Sequence, residues 1–248
     1  MYLKKITNYS PNFDLQKRNL KQIKFLVFHY TGMKSENDAI KRLTNIQSQV
    51  SCHYFIKNNG EIVLMVPDAY IAWHAGSSFW GKYRSINKYS IGIEISNPGH
   101  LNNYKKYSAK QIKSIIKLSK YLIKKYKIKV FNILGHSDIA PNRKKDPGEK
   151  FPWKYLSKKN IGIWHSLNSN NLEYFRTLRT SNLNKKKFLK NLYKIGYTKN
   201  KKNLTTNYQK GLVIAFQRRF RQELVNGIID QECLLISNNI VKKITKLS

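Results

Sequence analysis

The segment that most constrains this chain is Lys24–His29, where Phe25, Leu26, Val27 and Phe28 run without a polar break into a histidine. An apolar run of that length reads as a strand buried on both faces, which places it at the centre of a sheet covered by helices. Tyr89–Ser96 is a second strand, with Ile91, Ile93 and Ile95 on one face and Gly92, Glu94 and Ser96 on the other. Ser51–Lys57 and Glu61–Val66 are strand-like runs joined by Asn58-Asn59-Gly60, a hairpin turn signal. Lys129–Leu134 reads as a further strand, ending at Gly135-His136. Helical spacing is interleaved with these strands. Ala39, Ile40, Leu43 and Ile46 predict a short amphipathic helix. From Ser108, with Gln111 placed to complete a capping box, a longer helix would turn Ile112, Ile115, Ile116, Ser119, Leu122, Ile123 and Tyr126 inward. The interleaving defines an α/β fold with a central mixed β-sheet flanked by helices.

With 248 residues, 41% of them hydrophobic and 12% aromatic, the chain has material for a medium-sized domain plus a small one. The texture changes after about Leu167, where polar sequence gives way to three helical stretches near 184–195, 207–222 and 231–246. This predicts an α/β unit over 1–167, with its core at about 20–167, and a small helical domain over 168–248. The longest apolar runs are strand-sized and too short to cross a bilayer. The opening Met1–Ser10 has no apolar signal-like segment, so cytoplasmic residence is expected, with the periplasm or cell envelope as the alternative. Cys52 and Cys233 form no framework and read as reduced small residues. The net charge of +34 suits a polyanion, but the basic residues are spread along the whole chain, in a sequence rich in Lys, Asn and Ile throughout. The charge therefore names no partner, and no nucleic acid is expected.

Catalytic zinc sites use three protein ligands and keep one position open. His29 ends the first central strand, His136 ends a later one, and Asp146 follows on the next loop. Two strand-end histidines and a loop carboxylate could converge on one metal. By spacing alone, a strand-terminal histidine is more often a hydrogen-bonded structural residue than a ligand.

Five ordered segments go further. Phe28-His29-Tyr30-Thr31, Trp73-His74-Ala75-Gly76, Ser90–Ile95, Gly135–Pro141 and Arg143–Gly148 resemble the zinc-dependent N-acetylmuramoyl-L-alanine amidases of the AmpD and AmiD type. They do so in the family's order over roughly residues 20–167. The resemblance implies the fold shared with peptidoglycan recognition proteins and a single Zn2+ held by His29, His136 and Asp146. It implies Glu94 as general base and Lys144 as stabiliser of the developing oxyanion, since Lys144 and Asp146, two apart, share a side of an extended loop. His74, Arg84, Asn87 and Tyr30 are the implied substrate contacts. His53 fits the pattern too and also reads as a core histidine, whereas His100 and His165 match nothing and read as surface residues. Phe79-Trp80-Gly81 and Gly162–His165 look more like the AmiD branch. The C-terminal helices resemble a peptidoglycan-binding module, with a packing domain as the alternative. The expected reaction is hydrolysis of the amide between N-acetylmuramic or 1,6-anhydro-N-acetylmuramic acid and L-alanine in peptidoglycan or muropeptides. A non-catalytic peptidoglycan-binding or sensing protein is the second reading.

Overall fold

The computed structural model describes residues 8–198 and 205–247; the opening stretch 1–7, read above as irregular and signal-free, lies outside them. Five strands form the central sheet: β1 (Phe25–Tyr30), β2 (Tyr54–Ile56), β3 (Ile62–Leu64), β4 (Ser90–Ile95) and β5 (Ile133–Gly135). Their order is β3-β2-β4-β1-β5. β1 lies at the interior of the sheet, parallel to β4 and β5, as its unbroken apolar run requires. β2 runs parallel to β4 and antiparallel to β3, which makes the sheet mixed. The β2–β3 turn closes on Gly60, whose φ of 85° suits a residue without a side chain.

The helices are α1 (Glu36–Thr44), α2 (Ala109–Tyr126), α3 (His136–Ile139), α4 (Trp153–Ser157), α5 (Ser169–Thr177), α6 (Asn182–Ile195), α7 (Thr206–Phe220) and α8 (Gln231–Leu247). α2 begins at the capping box expected from sequence: Ser108 Oγ accepts from Gln111 N–H, and the Gln111 side chain accepts from Ser108 N–H. Its Ile115, Leu118 and Leu122 join Leu26, Phe28, Ile91, Ile93 and Ile95 in the main apolar cluster, on one face of the sheet. On the other face, Ala39 and Leu43 of α1 pack with Cys52, Phe55, Val63 and Met65. That cover stops short of His29 and Glu94, and the uncovered end of the sheet is the floor of a cleft.

Three elements differ from the sequence reading. Ile46 lies outside α1 and is 68% exposed, because Asn45 adopts an extended backbone and its side chain caps a new turn at Gln47. The strand expected over Lys129–Leu134 begins only at Ile133, since Val130–Asn132 closes into a 3-10 turn with Asn132 N–H bonded to the Lys129 carbonyl. Among the described residues the C-terminal part holds four helices, not three; α5 grows from a polar, asparagine-rich start that carries no apolar stripe. These helices do not stand apart from the sheet. Phe188, Leu212, Phe216, Phe220 and Ile240 belong to the same apolar cluster as the sheet residues, and the rings of Trp80 and Tyr197 meet at 4.9 Å.

Cys52 and Cys233 are both free and fully buried. Among the described residues no helix is long and apolar enough to cross a membrane.

Candidate functional site

His29 is the fifth residue of β1 and pairs directly with Glu94 of β4. Cross-strand partners project to the same face, so the two side chains rise together from the sheet. His136 follows the end of β5 and opens α3. Asp146 returns to the same point on the loop beyond α3, where Ser137 N–H binds its carbonyl and the hydroxyls of Tyr104 and Tyr107 both donate to the Pro147 carbonyl. The result is a triangle of donor atoms. His29 Nδ1 and His136 Nδ1 are 2.9 Å apart, and each lies 3.0 Å from Asp146 Oδ2. All three residues are buried.

The surrounding hydrogen bonds fix where the protons sit. Ser90 Oγ donates to the Ile86 carbonyl, so it is a lone pair of Ser90 that faces His74 Nε2 at 3.0 Å. His74 must then carry its proton on Nε2 and accept at Nδ1, 3.0 Å from His29 Nε2. His29 in turn is protonated at Nε2 and presents a bare Nδ1. On the other side, His136 Nε2 faces the Ala75 carbonyl at 3.1 Å and must donate to it, which leaves its Nδ1 bare as well. Two imidazole lone pairs and a carboxylate oxygen thus point at one spot with no proton between them. An arrangement that repels itself in this way is suited to a cation. The triad is the one group of three or more such ligands brought together among the described residues. Its edges lie within a few tenths of the separation of about 3.3 Å expected between ligands of a tetrahedral site with bonds of about 2.0–2.1 Å.

Burial, reinforced by His136 and opposed by Asp146, pushes His29 down to about 4. Burial, then His29, His53 and His136, hold His74 well below the ordinary imidazole value. Burial works to raise Asp146, but His136 and His29 outweigh it and keep its carboxylate well below the usual range. Glu94 goes the opposite way: burial first, and then Asp146, push its carboxyl up to about 8, with Lys144 opposing.

The cleft above this centre has a volume of about 440 Å³ and is lined by Tyr30, His74, Glu94 and Lys144 along with the triad. His74 reaches the wall only because residue 92 is glycine; a Cβ there would meet the His74 ring at 2.4 Å. Both nitrogens of His74 are occupied, by His29 and Ser90, so it orients its neighbour and has no free polar atom for a ligand. Two residues expected at the substrate lie elsewhere. Arg84 is exposed on the short ribbon of Phe79–Trp80 and Tyr83–Arg84, its guanidinium 5.0 Å over the Phe79 ring. Asn87 faces inward under the Trp73–Gly76 loop, where its Oδ1 accepts from His74 N–H and Ala75 N–H. It shapes the cleft wall from behind. His53 is a core residue, fully buried, with Gly92 N–H donating to its Nδ1.

Sequence reasoning missed His100, which was read as a surface residue. It lines the cleft, with Nδ1 2.8 Å from the Tyr30 hydroxyl and Nε2 3.0 Å from Glu149. Arg143 was missed too; its Nη2 donates to the Ala75 and Ser77 carbonyls and closes one end of the cleft. No spacing signal marks either residue, because both contacts depend on how two loops fold back over the sheet.

A mixed α/β sheet that gathers two imidazoles and a carboxylate at its strand ends, with the Glu94 carboxyl beside them under an open cleft, defines a hydrolase with a metal-binding centre. The chain belongs to the N-acetylmuramoyl-L-alanine amidase family, which it matches over residues 19–149. It is 35% identical over 234 residues to the N-acetylmuramoyl-L-alanine amidase AmiD of Escherichia coli K12, covering 90% of this chain and 83% of that protein. Among solved structures, E. coli AmiD in complex with anhydro-N-acetylmuramic acid-L-Ala-D-γ-Glu-L-Lys superposes with a TM-score of 0.79 at 32% identity, over 93% of this chain and 92% of that one. AmpDh3 of Pseudomonas aeruginosa in complex with anhydromuramic pentapeptide gives 0.78 at 28% identity, over 98% of both chains. The likeness spans the C-terminal helices as well as the sheet.

Proposed function

We propose that the chain is a zinc hydrolase that cuts the amide between N-acetylmuramic acid, or its 1,6-anhydro form, and L-alanine in peptidoglycan or muropeptides. The observation that carries this reading is the proton-free triangle of His29, His136 and Asp146 with Glu94 beside it. His29 and His136 through Nδ1, and Asp146 through Oδ2, would hold the ion. Zinc bound there supplies a Lewis acid for the scissile carbonyl and lowers the pKa of water toward neutrality. The remaining steps fall to the chain's own groups. Glu94 takes the proton of the attacking water and returns one to the leaving alanine amine. Lys144, on the cleft wall, stabilises the negative charge that develops on the amide oxygen. His74 keeps His29 in the tautomer that offers Nδ1. Tyr30, at the cleft wall beside His100, is the substrate contact.

The complete set of three donors together with a base favours catalysis over a purely sensing role. The test is mass spectrometry of the products from a purified 1,6-anhydro-muropeptide, with and without chelator. Release of free stem peptide, abolished by chelation and restored by zinc, is the expected result. Intact substrate after incubation with zinc-loaded protein would overturn the reading.

A further inference from the structure

Most buried charges of the C-terminal helices are satisfied by one another: Arg221 with Asp230 and Glu232, and Arg176 with Glu232. Two consecutive arginines of α7 behave differently and reach into the sheet region. Arg219 Nη1 donates to Asp138 Oδ2 at 2.6 Å, its Nη2 donates to the Ile133 carbonyl at 2.7 Å, and its guanidinium lies 4.1 Å from the Trp153 ring. Tyr197, just after α6, donates its hydroxyl to the other oxygen of Asp138 at 2.7 Å. Asp138 Oδ2 also accepts from Gly135 N–H at 2.8 Å. Arg218 meanwhile faces Glu149, the carboxylate that holds His100 beside Tyr30 at the cleft.

These contacts surround His136. Gly135 precedes it, Asp138 follows two residues later, and Ile133 begins the strand that leads into it. α3 is a single turn of four residues, and one turn does not hold its own orientation against the cost of helix nucleation. Something outside it must set the direction in which His136 points. We infer that α7 and the segment just after α6 position the catalytic centre: Arg219 and Tyr197, acting through Asp138, fix the backbone that aims His136 Nδ1 at the metal. The proposal rests on the reading of His136 as a ligand. The C-terminal helices are then part of the apparatus that builds the metal site, whatever else their outer surface binds. Without Arg219, the nearly inaccessible Asp138 carboxylate loses its only ion-pair partner among the described residues and turns toward water, taking the α3 turn with it.

The test measures zinc affinity in the full-length protein by competition with a chelator, together with the visible spectrum of the cobalt-substituted form, which reports ligand geometry. Arg219→Met is expected to weaken zinc binding by about tenfold or more and to shift the cobalt bands. Tyr197→Phe, which removes a single hydroxyl, should do so by a few-fold. Arg176→Met breaks an ion pair in the same helices but away from α3, and should leave both readouts at wild-type values. Wild-type affinity and spectrum in Arg219→Met would overturn the proposal, as would equal losses in Arg219→Met and Arg176→Met. If Arg219→Met does not fold, Tyr197→Phe decides: wild-type affinity there overturns it. His136→Ala separates the two layers of the argument, because undiminished zinc affinity in that variant would remove the ligand reading itself.

Discussion

Around the cleft, polar groups are buried with their lone pairs turned toward one another; among the C-terminal helices, they are buried with opposite charges turned toward each other. His29, His136 and Asp146 leave no proton in the middle of their triangle, whereas Arg221 lies against Asp230 and Glu232 with no exposed surface of its own. Both arrangements cost desolvation, but only the second recovers it within the chain. The difference separates a site from a scaffold: a buried polar cluster whose members cannot satisfy one another is suited to binding a ligand.

The largest expected effect belongs to the cleft. Glu94→Gln should lower kcat by about 10²–10⁴-fold while leaving zinc affinity near wild type, as measured by steady-state kinetics and metal titration. The same substitution tests the raised carboxyl. The metal-free folded chain keeps this proton up to about pH 8, whereas an unperturbed glutamate releases it near 4.5. The contribution of Glu94 to stability is therefore complete below the lower value and lost as pH rises through the upper one. In chelator-treated protein, melting temperature should fall across that window in wild type and fall less in Glu94→Gln. Next in size is Arg221→Met, which leaves Asp230 and Glu232 without their buried partner. It should cost about 3–5 kcal/mol in denaturant unfolding with no change in metal affinity. A change in metal affinity there would break the distinction between the two regions.

His74→Ala should have the reverse profile, weakening zinc about 10–100-fold through the lost orientation of His29. Smallest of all, Arg84→Ala should alter kcat/KM by less than about twofold, since an exposed side chain resting on Phe79 contributes little. A tenfold loss would return Arg84 to the substrate.

The framework was legible in the sequence because it is local. Lys24–His29 and the alternating Ser90–Ile95 carry their burial in their own pattern, and Ser108 with Gln111 announces a helix start. Strand ends also made His29 and His136 credible as neighbours, since parallel strands bring their ends together, whereas Glu94 was marked only by the family resemblance. What could not be read depends on loops and distant helices. Arg84 and Asn87 sit three residues apart, yet one faces solvent and the other faces inward, a difference set by the left-handed turn at Ser85 and the helical turn at Ile86–Tyr89. His100 acquires its place from Glu149 and Tyr30, and Arg219 from Asp138, at 81 residues' separation. No periodicity records such meetings.

The two thiols carry one further consequence. Cys52 is held well above its ordinary value, by burial first and then by Glu94, and burial pushes Cys233 up to about 12. Oxidation proceeds through the thiolate, and neither sulfur offers one or reaches solvent. The covalent state of the protein is therefore insensitive to the redox poise around it. A reducing cytosol and an oxidising envelope would both find the same molecule, with no bridge to make or break on passing between them.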